Sequence, residues 1–197
     1  MKKLFSLLVF IFLLFSCATI PDSYEKDLKL KTNLAKWQDF KLNGIVELNY
    51  KHYAFRKNIY INKEQEKMDL KVFDGGIFGM APKPFITARI DSILWVSEQG
   101  GELKPFQIPN FSGLQFLQNP QLLYSYKDEI IQKQAVTIDE KTSINFSQNM
   151  EITNIEMTDS NYKIAFDYNP QLSQIIVTEK KKVLLKIDVD KISYERK

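Results

Sequence analysis

The chain has 197 residues, of which 44% are hydrophobic and 26% charged, with a formal net charge of +3. That is enough chain for one domain with a real core, and too balanced a charge for the basic footprint of a nucleic-acid-binding protein. One cysteine and one histidine leave no internal disulfide, no zinc ligand set and no Cys/His pair, and no glycine-rich phosphate loop opens a helix, so neither enzyme chemistry nor a metal or cofactor is expected.

The first predicted element is a targeting segment. Lys2 and Lys3 precede an apolar run from Leu4 to Phe15 that is broken only by Ser6. The run falls short of the roughly 20 residues that span a bilayer and has the flanks of a signal-peptide core. It ends in Leu14-Phe15-Ser16-Cys17, which resembles the lipobox of bacterial lipoproteins, with a bulkier Phe15 than is usual there. The resemblance implies that residues 1–16 are removed as a signal peptide and that the Cys17 thiol is acylated. Two or more acyl chains, at roughly 0.8 kcal/mol per buried methylene, make a durable anchor. Taking Lys2 and Lys3 from the total of +3 leaves +1 for the remainder.

Residues 17–27 are polar and read as the lipidated N-terminus and a tether, with the folded domain expected over 28–197. Residues 28–39 are expected to form a short helix whose irregular apolar face is Leu28, Leu34, Ala35 and Trp37. Period-two alternation then sets in. Phe40, Leu42, Gly44, Val46, Leu48 and Tyr50 share one face of a long strand, with Ile45 as the exception on the other. Tyr53, Phe55, Ile59 and Ile61 suit the next strand, and Met68, Leu70 and Val72 start a third. His52 lies at the junction of the first two and reads as an exposed turn residue. Short strands fit 85–91, 93–98 and 101–106, with a turn at Gln99-Gly100-Gly101. Residues 107–130, holding Pro109, Gly113 and Pro120 among Phe111, Leu114, Phe116, Leu117, Leu122 and Leu123, read as loops and one or two short helices with an apolar face. Strands resume over 133–138, 142–147, 149–157, 161–168, 172–179 and 182–189, with turn chemistry at Asp159-Ser160-Asn161 and Asn169-Pro170. Lys180-Lys181-Lys182 falls on a hairpin turn and reads as a solvated turn or a contact to anionic lipid. The expected fold is mainly β: a curled antiparallel sheet or unclosed half-barrel of about ten strands, its concave side plugged by short covering helices.

One loop stands apart. Residues 73–85 read Phe-Asp-Gly-Gly-Ile-Phe-Gly-Met-Ala-Pro-Lys-Pro-Phe. Glycines and prolines mark a loop, yet Ile77 and Phe78 sit at its centre where loop tips are ordinarily polar. Either Phe78 folds back onto the core, or Ile77, Phe78 and Gly79 form a protrusion that enters a bilayer, with glycines allowing the sharp turn.

The order of a helix with Trp37, then Phe-Lys-Leu-Asn-Gly-Ile-Val-Glu-Leu at 40–48, Leu-Lys-Val-Phe at 70–73, Ile-Phe-Gly at 77–79 and a closing strand pair at 175–178 and 183–188 resembles the LolA/LolB family of lipoprotein-localisation proteins, and LolB-like receptors in particular. The resemblance covers most of residues 34–190. It implies an open antiparallel barrel with helices as a lid and an apolar cavity for the acyl chains of lipoprotein cargo. It also implies a lipid-anchored place on the periplasmic face of the outer membrane, a LolA-like carrier as partner, and delivery aided by the loop at Phe78, with Ile77 where the family commonly has proline. The competing expectation is a structural or envelope-assembly lipoprotein that uses the same fold to bind a protein partner.

Overall fold

A computed structural model describes residues 22–51, 53–74, 83–91, 93–106, 115–138 and 140–195. Cys17, His52, Ile77, Phe78 and Gly79 lie outside the described residues. The chain opens with α1 (Asp22–Lys36) and continues through β1 (Asp39–Tyr50), β2 (Tyr53–Glu64), β3 (Lys67–Phe73), β4 (Pro84–Ile90), β5 (Leu94–Glu98) and β6 (Lys104–Phe106). A short α2 (Gln115–Gln118), a 3-10 helix (Pro120–Tyr126) and α3 (Lys127–Lys133) follow. The sheet then resumes with β7 (Ala135–Ile138), β8 (Thr142–Phe146), β9 (Ile152–Met157), β10 (Tyr162–Tyr168), β11 (Leu172–Glu179) and β12 (Lys182–Tyr194).

The expected fold class is the observed one. Twelve antiparallel strands, two more than the approximate count expected, form one unclosed sheet in the order β6-β5-β4-β3-β2-β1-β12-β11-β10-β9-β8-β7. Every neighbour is also a sequence neighbour except β1 and β12, whose pairing brings the first and last strands together along Phe40↔Tyr194 to Leu48↔Leu185. Alternation places Phe40, Leu42, Gly44 and Val46 inward, as the pattern of β1 required, and Ile45 is the half-buried exception. The sheet bends about its middle. Trp37 makes edge contacts with Phe40 of β1 at 5.7 Å and with Phe166 of β10 at 5.2 Å. These two strands are three spacings apart, about 14 Å in a flat sheet.

The helix at the start differs from expectation. It begins by Asp22, so residues 22–27 belong to it and not to a tether, and it ends at Lys36, before the expected limit of 39. The polar character that suggests a tether is a solvated helix face, with Lys26 on Asp22 and Lys29 on Glu25 one turn apart. Its inward stripe is Leu30 and Leu34; Leu28 is 57% exposed and Ala35 is exposed too. Of the central segment, described residues 115–133 form three short helices where one or two were expected, and Leu122 of the expected apolar face is 47% exposed. Phe116, Leu123 and Ile130 join Leu30 and Leu34 in one core with residues from β1, β2, β3 and β7 to β12, so the helices cover the inward face of that part of the sheet.

Candidate functional site

The inward face divides into two regions. Under the helices it is solid: Leu30, Leu123, Ile130, Ile144 and Ile155 have no exposed surface. The β3–β5 wing is different. Register puts Met68, Leu70 and Val72 on the face shared with Ile59 and Ile61, opposite Ile90, Ala88 and Ile86, which in turn face Leu94 and Val96. Val72 and Ala88 are buried, but Met68, Leu70, Ile86, Ile90, Leu94 and Val96 are only half-buried. A row of aliphatic side chains in partial contact with water is the kind of surface that takes an apolar ligand.

The loop that carries Ile77, Phe78 and Gly79 springs from this wing, between the end of β3 and the start of β4. Its described flanks are firmly held. Lys57 pairs with Asp74 and lies 4.6 Å from the centre of the Phe85 ring, and Phe85 meets Phe55 edge-on at 5.8 Å. Aromatic packing and one ion pair thus fix both feet of the loop against β2.

A residue outside the expected site stands at the other end of the wing. Lys63 continues the inward positions Ile59 and Ile61 of β2 and is 1% exposed. Its ammonium donates to three backbone carbonyls: Gln38 after α1 at 3.4 Å, Gln118 of α2 at 2.8 Å, and Gln65 in the β2–β3 turn. Burial pushes its pKa down to about 8, against the raising influence of Asp39 and Glu66. The Gln118 side chain donates in turn to the Asp91 carbonyl in the β4–β5 turn. Lys63 and Gln118 therefore tie the helical cover to two turns of the wing. The sequence carried a signal for this: a lysine at the third inward position of an otherwise Ile-Ile stripe.

Beside this tie is an open cleft of about 880 Å³ lined by Gln38, Asp39, Glu64, Gln65, Glu66, Lys67, Gln118, Asn119 and Glu195. None of these residues belongs to the apolar core. A smaller cleft of about 240 Å³ beside Trp37 is lined in part by Tyr168 and Tyr194. The Tyr168 hydroxyl donates to the Ile152 carbonyl at 2.9 Å and burial raises its pKa well above the ordinary tyrosine value; burial and then Glu151 push Tyr194 up to about 12. Among the described residues no cluster of three His, Cys, Asp or Glu is placed to hold a metal, and no helix is long and apolar enough to cross a membrane. Compared with known proteins, the chain matches no family model and no curated sequence.

Proposed function

We propose that the protein is a lipid-anchored, non-enzymatic envelope lipoprotein that receives the acyl chains of other lipoproteins and helps insert them in the outer membrane, taking its cargo from a LolA-like periplasmic carrier. The observation that carries this reading is the half-buried aliphatic row on the inward face of β3–β5, next to the feet of the Ile77-Phe78-Gly79 loop. A strand of seven residues such as β4 is about 23 Å long, on the scale of an extended acyl chain, and contacts without hydrogen bonds permit release. Anchoring through Cys17 would hold the receptor at the membrane into which cargo is delivered. A fluorescent fatty-acid probe titrated into the Cys17→Ser protein tests the reading: saturable binding, competed by an acylated peptide, is expected, and its absence would refute it.

A second reading has its own support. The core beneath α1, the 3-10 helix and α3 is filled, which suits a structural or assembly lipoprotein that presents a rigid surface to a protein partner. Lack of probe binding together with a protein partner recovered by cross-linking would favour it.

A further inference from the structure

The antiparallel order sends the β1–β2 and β11–β12 turns to the same end of the sheet. Register sets them level: Leu48 faces Leu185 across the β1·β12 pair and Glu179 faces Lys182 across β11·β12. Lys51 on the first turn is thereby brought to the end of the sheet that carries Lys180 and Lys181 on the second turn and Lys182 at the start of β12, from a position well over a hundred residues away in the chain. All four are exposed, and among the described residues none has a carboxylate within ion-pair range. The neighbouring turns differ: Lys141 of the β7–β8 turn is paired with Asp159 of the β9–β10 turn. Val183, next to Lys182, is 47% exposed, and Tyr50 lies beneath the Lys51 ammonium at 5.0 Å. Lys51, Lys180 and Lys181 have φ of 52°, 47° and 72°, the left-handed region that asparagine and glycine occupy with less strain. Other turns of the sheet put Gln65, Gln99, Glu140 and Asn161 in the same conformation, so it is the charge and the neighbouring valine that set these two tips apart.

We propose that the paired β1–β2 and β11–β12 tips form a docking surface for an anionic phospholipid bilayer. Four exposed ammonium groups with no ion-pair partner among the described residues, carried at one end of the sheet, match a surface of lipid phosphates. Flexible lysine side chains reach headgroups while an exposed valine and a tyrosine ring suit the interface just beneath them. Val183, paired with Thr178 just below the turn, adds an exposed apolar contact beside the lysines, where a purely electrostatic contact to an acidic protein segment needs none. The surface is independent of acyl-chain binding on the wing, so each can fail without the other.

The test uses the full chain carrying Cys17→Ser and Val183→Cys, labelled at the new thiol with a polarity-sensitive fluorophore. Because the probe reports only the tip, insertion of the N-terminal apolar segment into any vesicle does not mimic the result. A blue shift is expected with vesicles of phosphatidylcholine mixed with phosphatidylglycerol, and not with phosphatidylcholine alone. It should fade as salt rises. Each Lys→Gln change among Lys51, Lys180, Lys181 and Lys182 should weaken the response about fivefold, the equivalent of roughly 1 kcal/mol per lysine near an anionic surface. An equal response to neutral vesicles, no response to either, or an equal response to soluble polyglutamate would overturn the proposal, the last in favour of an acidic protein partner.

Discussion

The Lys63 ammonium sits 2.8 Å from the carbonyl oxygen of Gln118, a residue 55 positions further along the chain. The contact joins the second strand of the sheet to the end of α2 in its helical cover. A protonated lysine has three donors, which match the three carbonyls of Gln38, Gln65 and Gln118. Lys63→Met keeps the stem and removes the donors, leaving those carbonyls to find water. A cost of about 1–3 kcal/mol is expected, with the sheet retained. Amide exchange should rise selectively over residues 115–118, and an unchanged exchange profile would show that the tie does not hold the cover.

Lys63 also shapes stability in alkali. Its pKa is about 8 in the fold against 10.5 for the ordinary lysine, so from about pH 8 to 10 the unfolded chain binds more protons and stability rises with pH. Tyr168 and Tyr194 act oppositely. Their pKa values lie above the ordinary 10.0, so above pH 10 the unfolded tyrosines lose protons that the folded ones keep, and stability falls. Urea unfolding across pH 7 to 11 should show the rise and then the fall, and Lys63→Met should abolish the rise alone.

Gly44 is the close point of the β1·β12 pair, at the register shift between Asn43 and Gly44. A Cβ there would overlap the carbonyl oxygen of Asp188 and lie 3.2 Å from the Cα of Val189. Gly44→Ala must therefore push two backbones apart, at a cost on the order of 3 kcal/mol. A shift in the urea midpoint measures it, and Gly101→Ala, whose Cβ would meet only the Glu98 carbonyl at 3.2 Å, is a milder control.

If acyl chains lie on the wing, a carboxylate placed there should exclude them. Leu94 is half-buried, opposite Ile90 on the inward face of β4–β5. Leu94→Glu should weaken the fatty-acid probe at least tenfold, on the order of 1.4 kcal/mol or more. A thermal melt shifted by only about 1 kcal/mol would separate lost binding from lost structure.

The loop at Ile77 and Phe78 can be assigned by one measurement. A protruding Phe78 predicts that Phe78→Ala changes stability by no more than about 0.5 kcal/mol and slows cargo delivery to liposomes. A loss of about 3–5 kcal/mol would place the ring in a core instead. Lipidation is checked separately: a palmitate analogue should label the wild type and not Cys17→Ser.

By itself the sequence determined the local character of each segment. Alternation at Phe40, Leu42, Gly44 and Val46 set the strand and its inward face, because period two leaves only one face for apolar groups. Turn chemistry at Gln99-Gly100-Gly101, Asp159-Ser160-Asn161 and Asn169-Pro170 marked the hairpins. Where the pattern was short or sparse, local reading failed: Leu30 and Leu34 are the buried pair of α1 and Leu28 is not, since only packing against Leu123 and Ile130 selects the face of so polar a helix. The tertiary structure alone decided the rest. Pairing of β1 with β12 put Lys51 at the same end of the sheet as Lys180, folding of residues 115–118 over the sheet gave Lys63 its third carbonyl, and strand order left the β3–β5 wing half-covered. These are contacts between residues far apart in the chain. Composition and periodicity carry no information about them, because they follow from which hydrophobic faces meet and which backbone groups then remain to be satisfied.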